Sequence, residues 1–418
     1  MTTPCRQSAP ERRPGDRDGA QFRVWFVHPG STCAMDGLGR FSFMTSVRFV
    51  VAPARWVALA LVCVGMLLAA SSSAGAAPRP GPPPVGHVFV INLENKGFAS
   101  AFGPGSPAPY LSSALREQGA LLSQYYGTAH NSLPNYVAQI SGQGPDTQTQ
   151  GDCQAYTDFV GAATVAPNQA VGNGCVYPAA VKTLPDQLAA KHLTWHGYLE
   201  DMAHSPTQST TCRHPALNTV DDTQKARVGD QYAARHNPFV YFHSITDSPT
   251  CQRNDVDLNR LKTDLTSVTT TPNYSMIVPN LCHDGHDSPC VDGQPGGLVS
   301  ADAFLRTWVP IIQASPAFKQ DGMLVVTFDE SDGPQTDATA CCGEVPGPNT
   351  PLPGITGLGG GRVGAVVVSK FTKPGTVNDT PYNHYSLLAS IEDLFGLPYL
   401  GYASQVPYRF GRDVYTRS

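Results

Sequence analysis

The sequence lacks several features that would each point to a class of function. It has no run of basic residues, no apolar run as long as the roughly 20 residues that a membrane span needs, and no CxxC pair. It contains no internal repeat, and the glycines at 357 and 359 to 361 precede a predicted strand instead of opening a helix. These absences argue against a nucleic-acid partner, a stable transmembrane anchor, a structural zinc site and a phosphate-binding nucleotide loop.

The N-terminal region has the order of a secretory signal. Arg48 and Arg55 precede the apolar run Val57 to Ala70, and Ala74-Gly75-Ala76 offers a cleavage site with small residues. We therefore expect residues 44–77 to be a signal peptide and the protein to be secreted or held in the cell envelope. An uncleaved anchor is the alternative.

The rest of the chain divides by composition. Residues 1–43 are expected to be a disordered or wrongly assigned extension, because Met44 offers a start directly before the signal peptide. Residues 78–84 are rich in proline and predict an extended linker. Residues 85–418 are long enough for one large domain with insertions or for two domains, and we expect one catalytic domain.

Removal of the leader changes charge and cysteine content. The leader holds eight of the 28 Lys and Arg residues and four of the 33 Asp and Glu residues, so the remainder has a net charge of −9. Eight cysteines remain, an even number that predicts disulfides of open connectivity in an exported chain. Adjacent Cys341 and Cys342 are expected to bond elsewhere rather than to each other.

Apolar runs of strand length alternate with segments of helical period. The predicted strands include 88–93, 195–199, 274–278, 323–328 and 363–368, and the predicted helices include 109–118, 133–140, 184–191, 256–265, 301–312 and 386–395. This alternation predicts an α/β fold in which helices cover both faces of a mostly parallel central sheet. Gly- and Cys-rich stretches between these elements predict loop insertions that carry disulfides.

Two predicted strands end in acidic residues. Glu94-Asn95 follows the first strand, and Asp329-Glu330 follows the strand 323–328. In open α/β sheets, ligands bind beyond the carboxyl ends of the strands, so these side chains are candidates for a hard-cation site. The alternative is that each is an ordinary turn or helix cap.

Ser132 lies directly before the predicted helix 133–140. As a nucleophile it would benefit from the helix N-terminus, which favours anions, and Asn135 could donate to a phosphoryl oxygen. As a structural residue it would be only an N-cap. His283 and Asp284, after another predicted strand, are candidates for metal binding or acid catalysis, with solvated loop residues as the alternative. His384 fits either a site or a packed core.

At this point the sequence resembles a known family. The segments that carry the resemblance occur in a fixed order over roughly residues 85–404: Leu93-Glu94-Asn95, Ser132 to Tyr136, Pro279-Asn280 with His283-Asp284-Gly285, Asp329-Glu330 with Asp332-Gly333, and Asn383-His384-Tyr385. Together they are similar to the signature of bacterial phosphoesterases. That family includes secreted acid phosphatases and phosphatidylcholine-type phospholipases C within the alkaline-phosphatase superfamily.

The resemblance implies a role for each matched position. Glu94, Asp329 and Glu330 would hold a divalent cation together with Ser132, and Asn95 would be a ligand or a phosphate contact. Ser132 would attack phosphorus and form a phosphoseryl enzyme that water then hydrolyses.

The resemblance also implies roles for residues that would contact the leaving group or the phosphate. The resemblance implies that His283, Asp284 and His384 handle the leaving group or a second metal. Arg235 or His236 would help to bind phosphate.

Some residues differ from those of other superfamily members, and these differences limit the metal content and the reactions that we expect. Asn280 and Glu330 stand where two-metal relatives have Asp and His, so we expect one metal ion, with Ca, Mg, Mn or Zn all open. Tyr136 stands where sulfatases need Arg, which argues against formylglycine chemistry.

These residues lead to one expected function and two alternatives. We expect an exported, metal-dependent phosphoesterase that hydrolyses phosphate monoesters, with phospholipids or phosphoinositides among the candidate substrates. A phospholipase C-like phosphodiesterase acting on lipid head groups and a non-catalytic cell-surface binding protein are the alternatives.

Overall fold

The computed structural model describes residues 81–342 and 344–416, all of them within the unit Pro78–Ser418. The expected extension at 1–43 and the signal peptide at 44–77 lie outside the described residues and stay predictions. The assignment of 85–418 as one catalytic domain also stays a prediction. None of the helices in the described ranges combines the length and the hydropathy that crossing a bilayer requires.

The described residues contain fourteen strands and nine α-helices. The strands are β1 (His87–Leu93), β2 (Ala120–Leu122), β3 (Tyr125–Tyr126), β4 (Ala155–Tyr156), β5 (Val160–Val165), β6 (Gln169–Asn173), β7 (Trp195–Leu199), β8 (Thr219–Val220), β9 (Asp255–Asp257), β10 (Tyr274–Val278), β11 (Gly322–Phe328), β12 (Ala365–Ser369), β13 (Thr376–Asn378) and β14 (Tyr382–Asn383). The α-helices are α1 (Phe98–Phe102), α2 (Ser132–Ser141), α3 (Leu184–Ala190), α4 (His243–Thr246), α5 (Pro249–Asn254), α6 (Arg260–Asp264), α7 (Gly297–Ala314), α8 (Pro316–Asp321) and α9 (His384–Phe395).

The central sheet has eight strands in the order β13-β2-β12-β11-β1-β10-β7-β9. Neighbouring strands are parallel except at β12, which runs antiparallel to both β11 and β2. Strands β1, β10 and β11 are buried along their whole length, which their continuous apolar sequences require. The predicted mostly parallel sheet is therefore confirmed.

Helices cover both faces of this sheet. Phe89 of β1 packs against Phe318 of α8, with ring centroids 6.2 Å apart. Asn92 of the same strand accepts a hydrogen bond from Gln139 of α2 at 3.2 Å. Because successive side chains of a strand point to opposite faces, residues 89 and 92 lie on different faces. Helices α8 and α2 thus cover opposite sides, as the fold-class prediction states.

Four neighbouring strands deliver their following loops to one edge of the sheet. In the order β11, β1, β10, β7 these strands are all parallel, so their carboxyl ends lie side by side. Asp329, Glu94 and Glu200 come directly after β11, β1 and β7, and Asp284 lies in the loop that follows β10. This edge is where parallel sheets bind ligands.

Two predicted helices are wrong in part. The segment 256–265 begins as strand β9, because Val256 and its neighbours pair with β7, and only Arg260–Asp264 is helical. Asp257 accepts a hydrogen bond from the Asn259 amide at 3.0 Å, which turns the chain between the two elements. The segment 109–118 forms a π-helical turn, Tyr110–Leu115, followed by a 3-10 turn.

Disulfides join all eight cysteines of the described residues. The pairs are Cys153–Cys175, Cys212–Cys251, Cys282–Cys290 and Cys341–Cys342. The expectation that Cys341 and Cys342 bond elsewhere is wrong. The other six cysteines pair among themselves, so each of the two adjacent cysteines has the other as its partner.

Candidate functional site

Ser132 is the first residue of α2, and its hydroxyl points away from the helix. Its Oγ donates to Oε2 of Glu94 at 2.6 Å, and both side chains are almost fully buried. The N-cap is Asn131, and the free amide of Leu133 donates to Asp152 Oδ1 at 2.9 Å. The alternative that Ser132 serves as a helix cap is therefore not what the structure shows.

Tyr136 lies one helical turn after Ser132 and contacts the same carboxylate. Its hydroxyl donates to Oε1 of Glu94 at 2.6 Å. Its ring stacks on His236, with centroids 5.4 Å apart and planes 12° apart. His236 Nε2 lies 3.4 Å from Glu94 Oε2, and its Nδ1 lies 3.8 Å from Asp284 Oδ2. One imidazole thus stands between two carboxylates.

Asp329 completes the group from the neighbouring strand. Its Oδ1 accepts hydrogen bonds from the backbone amides of Asn95 at 3.0 Å and Glu330 at 2.6 Å. Burial raises the pKa of this carboxyl group, and the side chains of Glu94 and Ser132 partly oppose the rise. We refer to Glu94, Ser132, His236, Asp284 and Asp329 as the Ser132 cluster. The cluster thus brings together Glu94 and Ser132, which are 38 positions apart in the chain, and Asp329, which follows much later.

Burial sets the protonation preferences in the Ser132 cluster. Loss of solvation raises the pKa of Glu94 well above its usual range, and the negative charge of Asp329 raises it further. Burial also raises the pKa of Asp329 and of Asp284, the latter with help from Glu94. Burial lowers the pKa of His236, as does the positive charge of Arg235. The cluster therefore stabilises neutral groups unless a cation neutralises its carboxylates.

Several buried polar atoms of the Ser132 cluster have no hydrogen-bond partner. They are Asp329 Oδ2, Asp284 Oδ2 and both ring nitrogens of His236. Leaving such atoms unpaired is costly, and a bound cation is one way to satisfy them. Carboxylate, hydroxyl and imidazole groups are ligands that divalent cations accept. The residues present therefore fit a divalent metal ion.

The amide of Asn95 lies between the two carboxylates that would hold such an ion. One end of this amide is 3.0 Å from Glu94 Oε2 and 3.2 Å from Asp329 Oδ1. With nitrogen at that end, the amide donates to both carboxylates. With oxygen there, three oxygen atoms converge as ligands of one cation.

Other groups with metal-like spacing are poor candidates. In the described ranges, the sets of three His, Cys, Asp or Glu ligand atoms within 4.8 Å of one another each include two disulfide-bonded cysteines. A disulfide sulfur is not a thiolate, so it does not supply the usual sulfur ligand. Glu94 and Asp329 do not belong to any such set in the described ranges, so a metal that they bind would need Ser132 or Asn95 as a further ligand.

Both polar atoms of the Asn135 side chain form hydrogen bonds with the backbone of the preceding loop. Its Oδ1 accepts from the amides of Thr128 and Ala129 at 2.9 and 3.0 Å. Its Nδ2 donates to the carbonyls of Ala129 and Asn131, both at 2.9 Å. The predicted donation to a phosphoryl oxygen stays a prediction, and the observed role is to hold the loop that leads into Ser132.

The two predicted catalytic histidines also have protein partners. His384 contacts the backbone oxygen of Asp329 through Nε2 at 2.5 Å and the hydroxyl of Tyr125 through Nδ1 at 3.1 Å, and burial lowers its pKa to about 4. His283 Nδ1 lies 3.0 Å from both carboxylate oxygens of Glu200. Burial opposes its protonation, but Glu200 outweighs burial and raises the pKa of His283. Their catalytic roles stay predictions.

Glu330 and Arg235 lie beside the Ser132 cluster. The carboxylate of Glu330 is hydrogen-bonded to Nδ1 of His130, so its observed partner differs from that of Asp329. Arg235 donates to the backbone of Gln224 at 3.1 Å and lies 3.9 Å from Asp152. The metal role of Glu330 and the phosphate role of Arg235 both stay predictions.

The sequence analysis did not single out three side chains around the site as participants. Tyr136 could have been found from the sequence, because residues four apart on a helix share a face and Tyr136 follows Ser132 by four positions. His130 and Asp152 carry no such signal. His130 precedes the helix in an irregular loop, and Asp152 comes from the Cys-rich insertion and contacts the helix only through tertiary structure.

Comparison with known proteins gives three findings. A family model described as the phosphoesterase family matches residues 105–398. The chain is 28% identical over 291 residues to a phosphate-repressible acid phosphatase from Penicillium chrysogenum, covering 69% of this chain and 55% of that protein. It is 26% identical over 371 residues to a phosphatidylinositol-3-phosphatase from Mycobacterium tuberculosis, covering 87% of this chain and 97% of that protein.

Several of the matched proteins are covered only in part. The chain spans only 51% to 59% of the length of three fungal proteins named as acid phosphatases or a probable one. A solved structure of a protein in the alkaline phosphatase superfamily from Vibrio parahaemolyticus superposes with a TM-score of 0.43 at 12% identity, covering 76% of this chain and 69% of that chain.

Proposed function

The chain belongs to the phosphoesterase family, as its motifs predicted, and on that premise we propose that it hydrolyses phosphate monoesters with Ser132 as nucleophile. One observation carries the proposal. The Ser132 hydroxyl donates at 2.6 Å to a buried carboxylate inside a group of unpartnered polar atoms. Relatives named acid phosphatase support the same reaction class.

The position of Ser132 suits attack on phosphorus. Its Oγ lies at the N-terminus of α2, a helix of ten residues whose positive end favours the negative phosphoryl oxygens. Glu94 accepts the hydroxyl hydrogen bond and, when its carboxyl group is ionised, is placed to take the proton as the oxygen bonds to phosphorus. Tyr136 fixes the other carboxylate oxygen, so Glu94 holds one orientation.

Asp284 and His236 lie close to Glu94 and are the groups that we expect to complete the proton transfers. When the ester bond breaks, the leaving oxygen needs a proton, and burial raises the pKa of Asp284 so that it retains one. Water then attacks phosphorus and loses a proton to Asp284, and the bond from phosphorus to Ser132 Oγ breaks as Glu94 returns the proton to that oxygen. Each group returns to its starting state after phosphate leaves.

We further propose that Glu94, Asp329 and Ser132, with Asn95, hold one divalent cation. Such an ion would stabilise negative charge on the phosphoryl oxygens and promote ionisation of the serine hydroxyl. The carboxylate-rich ligand set favours Ca, Mg or Mn, and His236 nearby leaves Zn open. Export through the leader is part of the same proposal, since the leader and disulfides belong to an oxidising compartment.

The substrate class has two candidates. The match to a phosphatidylinositol-3-phosphatase over almost its whole length supports a lipid phosphomonoester among the substrates. A phospholipase C-like diesterase remains the second candidate on the family resemblance. A non-catalytic binding protein would keep the fold but would not turn over any of these esters.

The experiment compares p-nitrophenyl phosphate with phosphatidylcholine as substrates for the full chain, before and after chelation. We expect turnover of the monoester, its loss on chelation and its recovery with one of the four cations. Ser132→Ala should abolish turnover, while Ser141→Ala, which alters another buried serine of α2 bonded to the Val137 carbonyl, should retain it. Cleavage of the diester alone, or undiminished activity in Ser132→Ala, would overturn the proposal.

A further inference from the structure

Several stretches of the sequence contain no charged residue, and hydrogen bonds join two of them. In a chain that is 15% charged, residues 159–181 and 345–361 contain no Asp, Glu, Lys or Arg. The first includes the hairpin β5–β6, and the second is the loop between Cys342 and β12. Asn349 of the loop joins the two, because its side chain donates to the Ala170 carbonyl at 2.8 Å and accepts from the Gly172 amide at 2.9 Å. The two segments are therefore in contact at Asn349, and together we call them the uncharged rim.

The uncharged rim also exposes large apolar side chains. Of the twelve exposed large hydrophobic side chains in the described residues, five belong to it: Val160 (78% exposed), Val165 (45%), Val345 (54%), Leu352 (42%) and Ile355 (40%). Such residues are common singly on protein surfaces, but a group of them without interspersed charge marks an interaction surface.

Hydrogen bonds connect the loop 345–361 to residues that lie close to the Ser132 cluster in the chain. The Pro353 carbonyl accepts from the His130 amide at 3.2 Å, and the Gly360 carbonyl accepts from the Ser331 amide at 2.8 Å. Gln150 donates to the Leu352 carbonyl at 2.7 Å. His130 lies two residues before Ser132, and Ser331 lies two residues after Asp329. The loop is therefore hydrogen-bonded to the segments that contain Ser132 and Asp329.

We propose that the uncharged rim docks on the surface of a zwitterionic lipid bilayer and presents a membrane-embedded phosphomonoester to Ser132. This inference rests on the proposed function. The charge distribution favours this occupant, because the chain after the leader carries a net charge of −9 and would be repelled by an anionic surface. A face without charge meets a neutral bilayer without that repulsion, and exposed Val, Leu and Ile side chains gain free energy by entering its interface.

The experiment uses the full chain and vesicles of phosphatidylcholine that carry a small fraction of phosphatidic acid as the monoester. We expect the protein to sediment with these vesicles with little dependence on salt concentration. In the double variant Leu352→Asp/Ile355→Asp, binding and hydrolysis of phosphatidic acid should fall about tenfold or more, the factor that about 1.4 kcal/mol of lost binding corresponds to. Turnover of soluble p-nitrophenyl phosphate should not change.

A matched control separates this surface from general effects of added charge. Val228→Asp/Val377→Asp alters side chains that are 74% and 50% exposed and lie outside the uncharged rim, and it should bind vesicles normally. Equal loss in both double variants, or no vesicle binding by the unaltered chain, would overturn the inference. A dimer in solution that the Leu352/Ile355 variant dissociates would also overturn it, because the surface would then join two copies. Absence of soluble-monoester turnover would instead contradict the proposed function.

Discussion

Ser132 and Tyr136 lie one turn apart on α2 and donate hydrogen bonds to the two oxygens of a single carboxylate, that of Glu94. The proposed nucleophile Ser132 and the proposed base Glu94 are thus aligned by Tyr136, which lies on the same helix as Ser132. The carboxylate cannot rotate without losing one of the two bonds. This arrangement makes the contribution of Tyr136 measurable.

Tyr136→Phe should lower turnover without unfolding the protein. The ring that stacks on His236 remains, but Glu94 Oε1 loses its donor. A hydrogen bond to a charged group is worth about 1.5–3 kcal/mol, so we expect kcat for p-nitrophenyl phosphate to fall about 10- to 100-fold. Tyr241→Phe is the control, since the buried Tyr241 hydroxyl has no hydrogen-bond partner. An unchanged kcat in Tyr136→Phe would show that Glu94 needs no second donor.

Divalent cations should stabilise the fold through the Ser132 cluster. Binding to the native state alone raises the melting temperature, so chelation should lower it and added cation should restore it. Asp329→Asn should abolish this response, because it removes one of two converging carboxylates. Asp332→Asn changes a nearby carboxylate that bonds to the Gly97 amide at 3.0 Å and should leave the response intact. A full cation response in Asp329→Asn would contradict the ligand assignment.

Asn135→Ala should destabilise the protein more than a surface substitution. The change leaves the buried amides of Thr128 and Ala129 without their acceptor, and each unpaired group costs about 1–3 kcal/mol. Denaturant titration should therefore show a lower free energy of unfolding, whereas Asn259→Ala, at an exposed turn, should show little change. Unaltered stability combined with a raised KM would instead favour the predicted contact with phosphate.

Asp255→Asn should change how stability depends on pH. Burial raises the pKa of Asp255 from 3.8 to about 8, so the folded state keeps a proton that the unfolded state releases. The stabilising contribution is complete below pH 3.8 and is lost as pH rises through about 8. Asp255→Asn has no carboxyl group to ionise, so its free energy of unfolding does not fall in this way. Relative to the unaltered protein, that free energy should rise by about 1.4 kcal/mol for each pH unit between 3.8 and about 8.

Denaturant titrations at several pH values between 5 and 8, chosen to lie in the window set by the Asp255 pKa, measure this difference. Asp222→Asn, an exposed carboxylate paired with Arg227, is the control and should follow the unaltered protein. Parallel profiles for Asp255→Asn and the unaltered protein would contradict the expected protonation of Asp255.

The sequence predicted the parts of the site that depend on strand direction. Glu94 and Asp329 directly follow apolar runs that could only be buried strands, and parallel strands place such residues at one edge. The order of the motifs also indicated Ser132 at a helix start. These features follow from local pattern and from one topological rule.

The directions of individual side chains could not be predicted in the same way. Asp329 and Glu330 are adjacent, and consecutive residues after a strand point to opposite sides, so one faces Glu94 and the other His130. The stacking of His236 on Tyr136 joins segments about 100 residues apart and has no local signal. The pairing of Cys341 with Cys342 likewise depended on the choices of the other six cysteines.

The reversed direction of β12 has a consequence for how this fold can diversify. Because β12 pairs antiparallel with β11, with Thr327 opposite Ala365, the segment 329–364 leaves and re-enters the sheet at the same edge. Residues can be inserted into or deleted from such a closed excursion without altering strand register, since loop length costs little free energy. Related chains could therefore differ in the part of this segment that follows Glu330 and acquire new ligand preferences, while Asp329, Glu330 and the sheet stay the same.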